Sequence, residues 1–442
     1  MSNHPVKWFN SNFEGAPTVD DTWDNINGNF VAMLKACLVT GFGDKLIANL
    51  TYDETSSEAV ANFDNGHQYK LDSIIEIYDA SDAAYNGEHR VTNVTTNEVR
   101  VKLNSGPAGA VTGASMKVAS AGWSVFSESP DGKVVVFDTG SDYGNVMIRV
   151  ANNDTEQYEG KNLFGNSSTL CLVAKISLVS NVSDYNNYDV ETEAIWPASH
   201  TGGSSIYQRK LWNLVADDGM FYLFFSTGYN GHISPHYAGY INSLKSNDLY
   251  HCVVNSMGYE YYPELNSTMY DFGYYNQQAS QTAFHHNPLC SANHTDYRYL
   301  ARAYTQLKSP SKFLTRGIFI CSGTGMQSGN APDGGVYISQ GEIPVFEYKN
   351  KSASRDSDKG MSLRGTMPGS FEPYYSLYDE SGGTNISHLE PRIEETERLV
   401  RFVTYFGIES IAANEVGKQR VAGEFKYEKS IGLDIGDKGW RL

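Results

Sequence analysis

Several things are scarce in this 442-residue chain, and each scarcity excludes a class. Charge is dilute, at 19 % Asp, Glu, Lys and Arg, and basic residues are the minority, 34 against 51 acidic, for a net −17. A phosphate backbone is held by clustered Lys and Arg, so no direct nucleic-acid partner is expected. No apolar run reaches the roughly 18 residues that mark a membrane-spanning helix, so no membrane insertion is expected. The opening MSNHPVKWFN lacks the apolar stretch of a secretory signal. Cysteine is sparse and odd in number, with Cys37, Cys171, Cys252, Cys290 and Cys321 widely spaced and no CxxC. That pattern is not a disulfide framework, and several of the five sit in apolar runs as small hydrophobes. Sequons at Asn49, Asn93, Asn153, Asn166, Asn181, Asn266, Asn293 and Asn385 read as the by-product of a chain rich in Asn, Ser and Thr.

What is abundant is apolar and aromatic: 40 % hydrophobic residues, 30 Tyr and 41 Gly. Such a chain has the means to bury a core and is not disordered. The clearest helix carries Ile26, Phe30, Met33, Leu34, Cys37 and Leu38 on one face, with Asp24, Asn25 or Asn27 as caps and Gly41 as a left-handed stop. From there the period is two. Strands are predicted over 46–52, 74–78, 88–94 and 98–103, punctuated by the turn dipeptides Asn65-Gly66 and Asn86-Gly87. Trp123–Phe126 and Lys133–Phe137 flank a Pro130-Asp131-Gly132 turn, and a hairpin over 211–225 turns at Asp218-Gly219. Further strands are predicted at 317–321, 336–339, 398–406, 422–427 and 432–435, with 259–309 as long Tyr-rich loops. The fold class expected is mainly β: several sandwich or barrel modules with one short N-terminal amphipathic helix. The division expected is an arm and helix (1–45), a small β domain (46–120), a large β domain with long Tyr- and His-rich loops (121–373) and a C-terminal β segment packed on it (374–442).

Candidate chemistry is thin. His232, His236, His285, His286, Cys290 and His294 are zinc-type ligands, but Pro235 and Gly231 break the helix that an i, i+4 pair needs. The expectation is therefore no metal and no cofactor, with loop histidines in packing or hydrogen bonding. Asp20-Asp21, Asp217-Asp218 and Glu394-Glu395 could supply an acid and a base. Asp217-Asp218-Gly219 is better explained by its turn, and Asp20-Asp21 by a helix N-terminus. The Gly323–Gly329 stretch misses the dinucleotide spacing by one residue and lacks a P-loop lysine. No catalytic residue is expected. Trp8, Phe9 and Phe13 read as an extended docking arm, and Tyr259, Tyr261 and Tyr262 as a central interface loop, because Tyr buries large area at low entropy cost. Ordinary core packing is the competing reading for all six.

An ordered set of short motifs carries a resemblance. Phe13–Pro17 is followed by Leu34–Gly43, Asn65-Gly66-His67, Asn86–Val91, Gly122–Phe126, Leu211–Gly219 with Phe221–Leu223, Gly239–Ser243, Asp248–Tyr250, Leu363–Gly369 and Gly439–Arg441. In order and spacing the chain resembles a family of virion structural proteins of tailed bacteriophages. The resemblance implies a non-enzymatic β-rich particle component that assembles with copies of itself and other virion proteins, in a virion made in the bacterial cytoplasm. Within the particle, the tail assembly is the expected station: baseplate, tail tip or fibre-attachment hub. A capsid decoration or neck protein is one alternative. A receptor-binding protein or depolymerase acting on host surface glycan is the other, although a depolymerase would be expected to show a repetitive β-helix. The family's pattern departs at Ser124–Glu128, where its members have basic or neutral residues, and over 255–310, which matches nothing in it.

Overall fold

The computed structural model describes residues 5–19, 29–107, 109–140, 146–152, 170–201, 212–226, 233–240, 242–243, 248–255, 299–304, 336–340, 362–367, 374–378, 392–395, 400–411 and 425–436. The chain is mainly β, built of antiparallel sheets with one short helix. That helix, Asn29–Lys35, widens into a π-helical turn over Ala36–Thr40, which the Gly41 N–H closes on the Ala36 carbonyl at 2.9 Å. The predicted helix start at residues 24–28 lies outside the described residues. Phe30, Met33, Leu34, Cys37 and Leu38 are all fully buried, as their shared face requires.

The first β module spans Phe42 to Val118. Its strand order is Phe42–Leu46, Ser115–Val118, Ile74–Tyr78, Gly87–Val94, Glu98–Lys102, Glu58–Asn62, Asn49–Asp53. The two terminal strands of that order are consecutive in sequence, and only Ile47 and Ala48 separate them. There the Ile47 N–H bonds the Ala114 carbonyl at 2.8 Å while the Ala48 N–H bonds the Asn62 carbonyl at 2.9 Å. One bent segment thus pairs with a different neighbour on each side of its bend, and the sheet curls into a barrel without a free edge there.

The second module is a sandwich. A five-stranded meander runs Ser124–Glu128, Val134–Asp138, Met147–Ala151, Leu170–Asp184, Asn187–Thr201. The turn between its first two strands has Gly132 at φ +71° and its N–H on the Ser129 carbonyl at 2.9 Å, as Pro-Asp-Gly dictates. Facing it is a six-stranded sheet in the order Lys7–Asn10, Trp212–Ala216, Met220–Ser226, Ile233–Tyr240, Asp248–Asn255, Tyr299–Tyr304. The aromatic rings between them fix the packing. Trp123 lies edge-on to Phe137 (6.3 Å) and Phe221 (5.7 Å), and Trp196 edge-on to Phe221 (5.8 Å). Such pairs add about 0.5–1.5 kcal/mol each beyond their buried area. The hairpin closes at Asp218-Gly219, with Ala216 opposite Phe221.

Two smaller sheets complete the description. One joins Asn242–Ser243, Ser362–Met367 and Val336–Gln340. The other joins Tyr374–Tyr378, Phe425–Asp434, Val400–Ile411 and Arg392–Glu395. The two strands predicted at 422–427 and 432–435 are one continuous strand, because Glu428–Ile431 keep pairing across the gap. The strand predicted at 317–321 and the Gly323–Gly329 stretch lie outside the described residues.

The N-terminal arm corrects an expectation. Trp8, Phe9 and Phe13 are not a free docking arm: they are 5 %, 0 % and 2 % exposed and belong to the chain's own core. The reason is backbone pairing. Lys7–Asn10 is the edge strand of the six-stranded sheet, in register with Ala216–Asn213, so its side chains alternate into buried faces. Trp8 then packs on Phe13 at 4.6 Å and Phe9 reaches Phe42 of the barrel at 6.1 Å. Past the strand, the arm turns back so that the Trp212 indole donates to the Pro17 carbonyl at 3.2 Å.

Where the arm crosses the barrel, Gly15 and Gly43 meet backbone to backbone. Both have positive φ (+59° and +77°), and a Cβ on Gly43 would lie 2.1 Å from the Glu14 carbonyl oxygen. Gly43→Ala therefore has to force two backbones apart. It is expected to cost about 2 kcal/mol or more and to lower the melting temperature. Gly140→Ala is the control, since Gly140 shares a positive φ (+86°) but has open space around it. It should cost only about 1 kcal/mol. Equal losses in thermal melts of the two variants would refute the close-approach reading.

Candidate functional site

The seam between arm, barrel and sandwich gathers several buried polar groups. Lys7 is 2 % exposed, and its ammonium donates to the Glu88 carboxylate at 2.6 Å and to the Ser120 carbonyl. Burial lowers the Lys7 pKa, and Glu88 opposes that shift. The Trp123 indole donates to the Asp217 carbonyl at 2.7 Å, and the Ala121 and Trp123 N–H groups donate to the Cys37 and Leu38 carbonyls at 2.9 Å each. Arg90 reaches the opposite end of the chain, donating to the Ile435 carbonyl at 2.7 Å and to the Asp72 carbonyl at 2.9 Å.

Beside this seam lies an open groove of about 500 Å³. Asn12 of the arm forms one bank, the loop His67–Lys70 the floor, and the strand end Val94-Thr95 the other bank. The Asn65-Gly66 turn aims the loop, with Gly66 at φ +69° and the His67 N–H on the Thr96 carbonyl at 3.2 Å. Tilted rings cluster there: Phe63 lies 5.1 Å from His67 and 5.8 Å from Tyr69, and His67 lies 5.5 Å from Tyr69. The Tyr69 hydroxyl sits 2.7 Å from the Gly43 and Met116 carbonyls, and burial holds the phenol neutral, far above its usual pKa. Glu14 accepts the Gln68 backbone N–H at 2.8 Å and pairs with Lys45 at 3.2 Å. The lining includes the carboxamides of Asn12 and Gln68 and the ammonium of Lys70, while the Tyr69 ring is buried and the Thr95 hydroxyl accepts the Glu98 N–H at 3.1 Å. His67 entered the sequence reading only as the end of a turn motif. The signal for the groove is the run His67-Gln68-Tyr69-Lys70, and it acquires meaning only when Asn12 arrives from the arm.

Asp217 and His236 are buried in the sandwich. Asp217, in the hairpin turn, accepts the Gly219 and Met220 N–H groups at 2.8 and 2.9 Å. Burial outweighs those bonds and raises its pKa to about 7. His236 is fully buried and stacks on Trp196 at 4.8 Å and 28°. Among the described residues neither of its ring nitrogens has a hydrogen-bond partner, and burial lowers its pKa to about 3. It is a core ring. Among the described residues no three His, Cys, Asp or Glu side chains gather as metal ligands. His232, His285, His286, Cys290 and His294, and the interface candidates Tyr259, Tyr261 and Tyr262, lie outside the described residues.

Comparison with known proteins adds little. No family model matches the chain, and no curated protein matches it. Among solved structures, the phage phi92 endosialidase aligns over 90 % of this chain and 53 % of its own, at 9 % identity and a TM-score of 0.16. The chain spans about half the length of that protein, and at that score the alignment carries no argument about fold or activity.

The two buried groups give opposite pH dependences. Asp217 has a raised folded pKa, so the folded state holds its proton more tightly. The stability this confers is present at acid pH and is lost as pH rises through about 7. Asp217→Asn keeps an acceptor for the turn and removes the ionisation, so its melting temperature should exceed wild type most at about pH 8 and least at about pH 5. His236 has a depressed folded pKa, so stability is full above the ordinary histidine range and falls as the pH drops toward about 3. His236→Phe keeps a ring against Trp196, and its advantage over wild type should widen from about pH 7 to about pH 4.5. Melting curves parallel to wild type across these ranges would contradict both assignments.

Proposed function

We propose that this chain is a non-enzymatic structural component of a tailed-phage virion, stationed in the tail assembly at the baseplate, the tail tip or the hub where fibres attach. One observation supports this reading above others: motifs that carry the sequence resemblance meet at the seam. Phe13–Pro17 supplies Phe13 against Trp8 and the Pro17 carbonyl for Trp212. Gly43 receives the arm backbone, Glu88 receives Lys7 and Arg90 receives the C-terminal strand. Trp123 bonds the turn at Asp217-Asp218-Gly219. The paired residues lie up to 345 positions apart, and the Gly43, Glu88 and Arg90 contacts join one module to another.

A particle component needs that property, because its modules have to hold fixed positions while neighbours pull on them. The net charge of −17 fits the same role, since an acidic surface is repelled by packaged genome and by anionic envelopes. Its partners on this reading are other virion proteins and copies of itself.

The test is to tag the chain in the phage that encodes it and label purified particles with gold for negative-stain microscopy. Label at the distal tail supports the proposal. Label on the capsid or at the neck places it in a decoration or collar role instead, and particles without the chain overturn the virion assignment.

A further inference from the structure

We propose that Asn65 is a site of spontaneous deamidation and isoaspartate formation, which the fold leaves open while it closes the equivalent site at Asn86. The proposal stands on the local geometry of two turns and does not depend on the virion reading.

In this reaction the backbone nitrogen after an asparagine attacks the side-chain carboxamide. Glycine in the second place puts no side chain over that nitrogen, so Asn-Gly is the least obstructed pair. The chain has four such pairs, of which Asn27-Gly28 and Asn230-Gly231 lie outside the described residues. The other two are alike in sequence and setting. Asn65 and Asn86 are both exposed, and Gly66 and Gly87 both have positive φ, +69° and +128°.

Hydrogen bonding separates them. The Asn86 Nδ2 donates to the Ala80 carbonyl at 2.9 Å, and the Asn86 Oδ1 accepts the Ala80 N–H at 2.9 Å. Attack requires the carboxamide to rotate and then to lose its nitrogen, and both bonds oppose that. The Asn65 carboxamide has no hydrogen bond among the described residues, so it is free to rotate onto the Gly66 nitrogen.

The step needs only water. The Gly66 nitrogen gives up its proton and bonds to Asn65 Cγ, the Cγ–Nδ2 bond breaks, and ammonia leaves with the proton. The product is a five-membered imide. Water then adds to one of its two carbonyls and breaks that carbon's bond to nitrogen. Opening at Cγ yields aspartate. Opening at the main-chain carbon yields isoaspartate, whose backbone runs through the former side chain. No electrons are gained or lost.

Either product puts a negative charge beside Asp64. Isoaspartate also lengthens the chain by a methylene, within a turn bracketed by the Phe63 N–H on the Asn97 carbonyl (2.8 Å) and the His67 N–H on the Thr96 carbonyl (3.2 Å). The next residue, Gln68, gives its N–H to Glu14, so the change bears on the docked arm.

The experiment ages the full chain in mildly alkaline buffer, with a parallel sample in denaturant. Both sites are followed by peptide mapping with mass spectrometry that separates aspartate from isoaspartate. Folded Asn65 should convert roughly tenfold or more faster than folded Asn86, where two hydrogen bonds must break first. In denaturant the two should convert at similar rates. Asn65→Gln should remove the product from its peptide and leave the Asn86 signal unchanged. Folded Asn86 converting as fast as Asn65 overturns the proposal, and so does an Asn65 that converts only in denaturant. A preference for Asn65 that persists undiminished in denaturant overturns it too, because flanking sequence and not the fold would then set it.

Discussion

The pairing of Lys7–Asn10 with Trp212–Ala216 is the constraint on which the other junctions depend. It brings the chain's first strand to a sheet made from residues two hundred positions later. It also carries a lysine into an apolar seam, where the ammonium must find partners or impose a large desolvation cost. Glu88 and the Ser120 carbonyl are those partners, and both belong to the barrel end of the seam. An edge strand of the sandwich is therefore held by the barrel, and the two modules cannot separate without stranding that charge. Phe9 against Phe42 and Gly15 against Gly43 lie along the same line of contact.

The groove follows from that geometry. Its floor is a barrel loop and one bank is arm, so it exists only while the arm is docked. Tyr69 beneath it is held by backbone carbonyls, while the Gln68 side chain stands at the surface. The sandwich interior behaves differently. Asp217 and His236 are polar groups enclosed by Trp123, Trp196 and Phe221, and their titration is set by burial more than by any charged neighbour.

Much of the fold was legible in the sequence where local chemistry decides it. Pro130-Asp131-Gly132 turns with Gly132 at positive φ, the hairpin closes at Asp218-Gly219 under the Asp217 carboxylate, and Glu98–Lys102 alternates as a half-buried strand. The arm was not legible. Trp8-Phe9 looks the same in a sequence whether it awaits a neighbouring subunit or a strand of its own chain, because the partner is non-local. The continuity of Phe425–Asp434 escaped because Glu428–Ser430 interrupt the apolar pattern although their backbones keep pairing. The π-helical turn leaves no signal in side-chain periodicity, yet its Cys37 and Leu38 carbonyls anchor the step from barrel to sandwich. The groove was invisible for a related reason: its residues come from three stretches, and only one of them carried a turn signature.

The distance in sequence between the two paired strands also sets a timetable. The barrel strands end at Val118, so that module is complete while the ribosome still has most of the chain to make. At about 5–20 residues per second, Trp212 emerges roughly 10–40 s after the arm. Throughout that interval Trp8, Phe9 and Phe13 have no sheet to enter, although the barrel surface that will receive Lys7 already exists. The nascent chain thus spends that wait with an aromatic segment unpaired, and the barrel is the first surface on which that segment can rest.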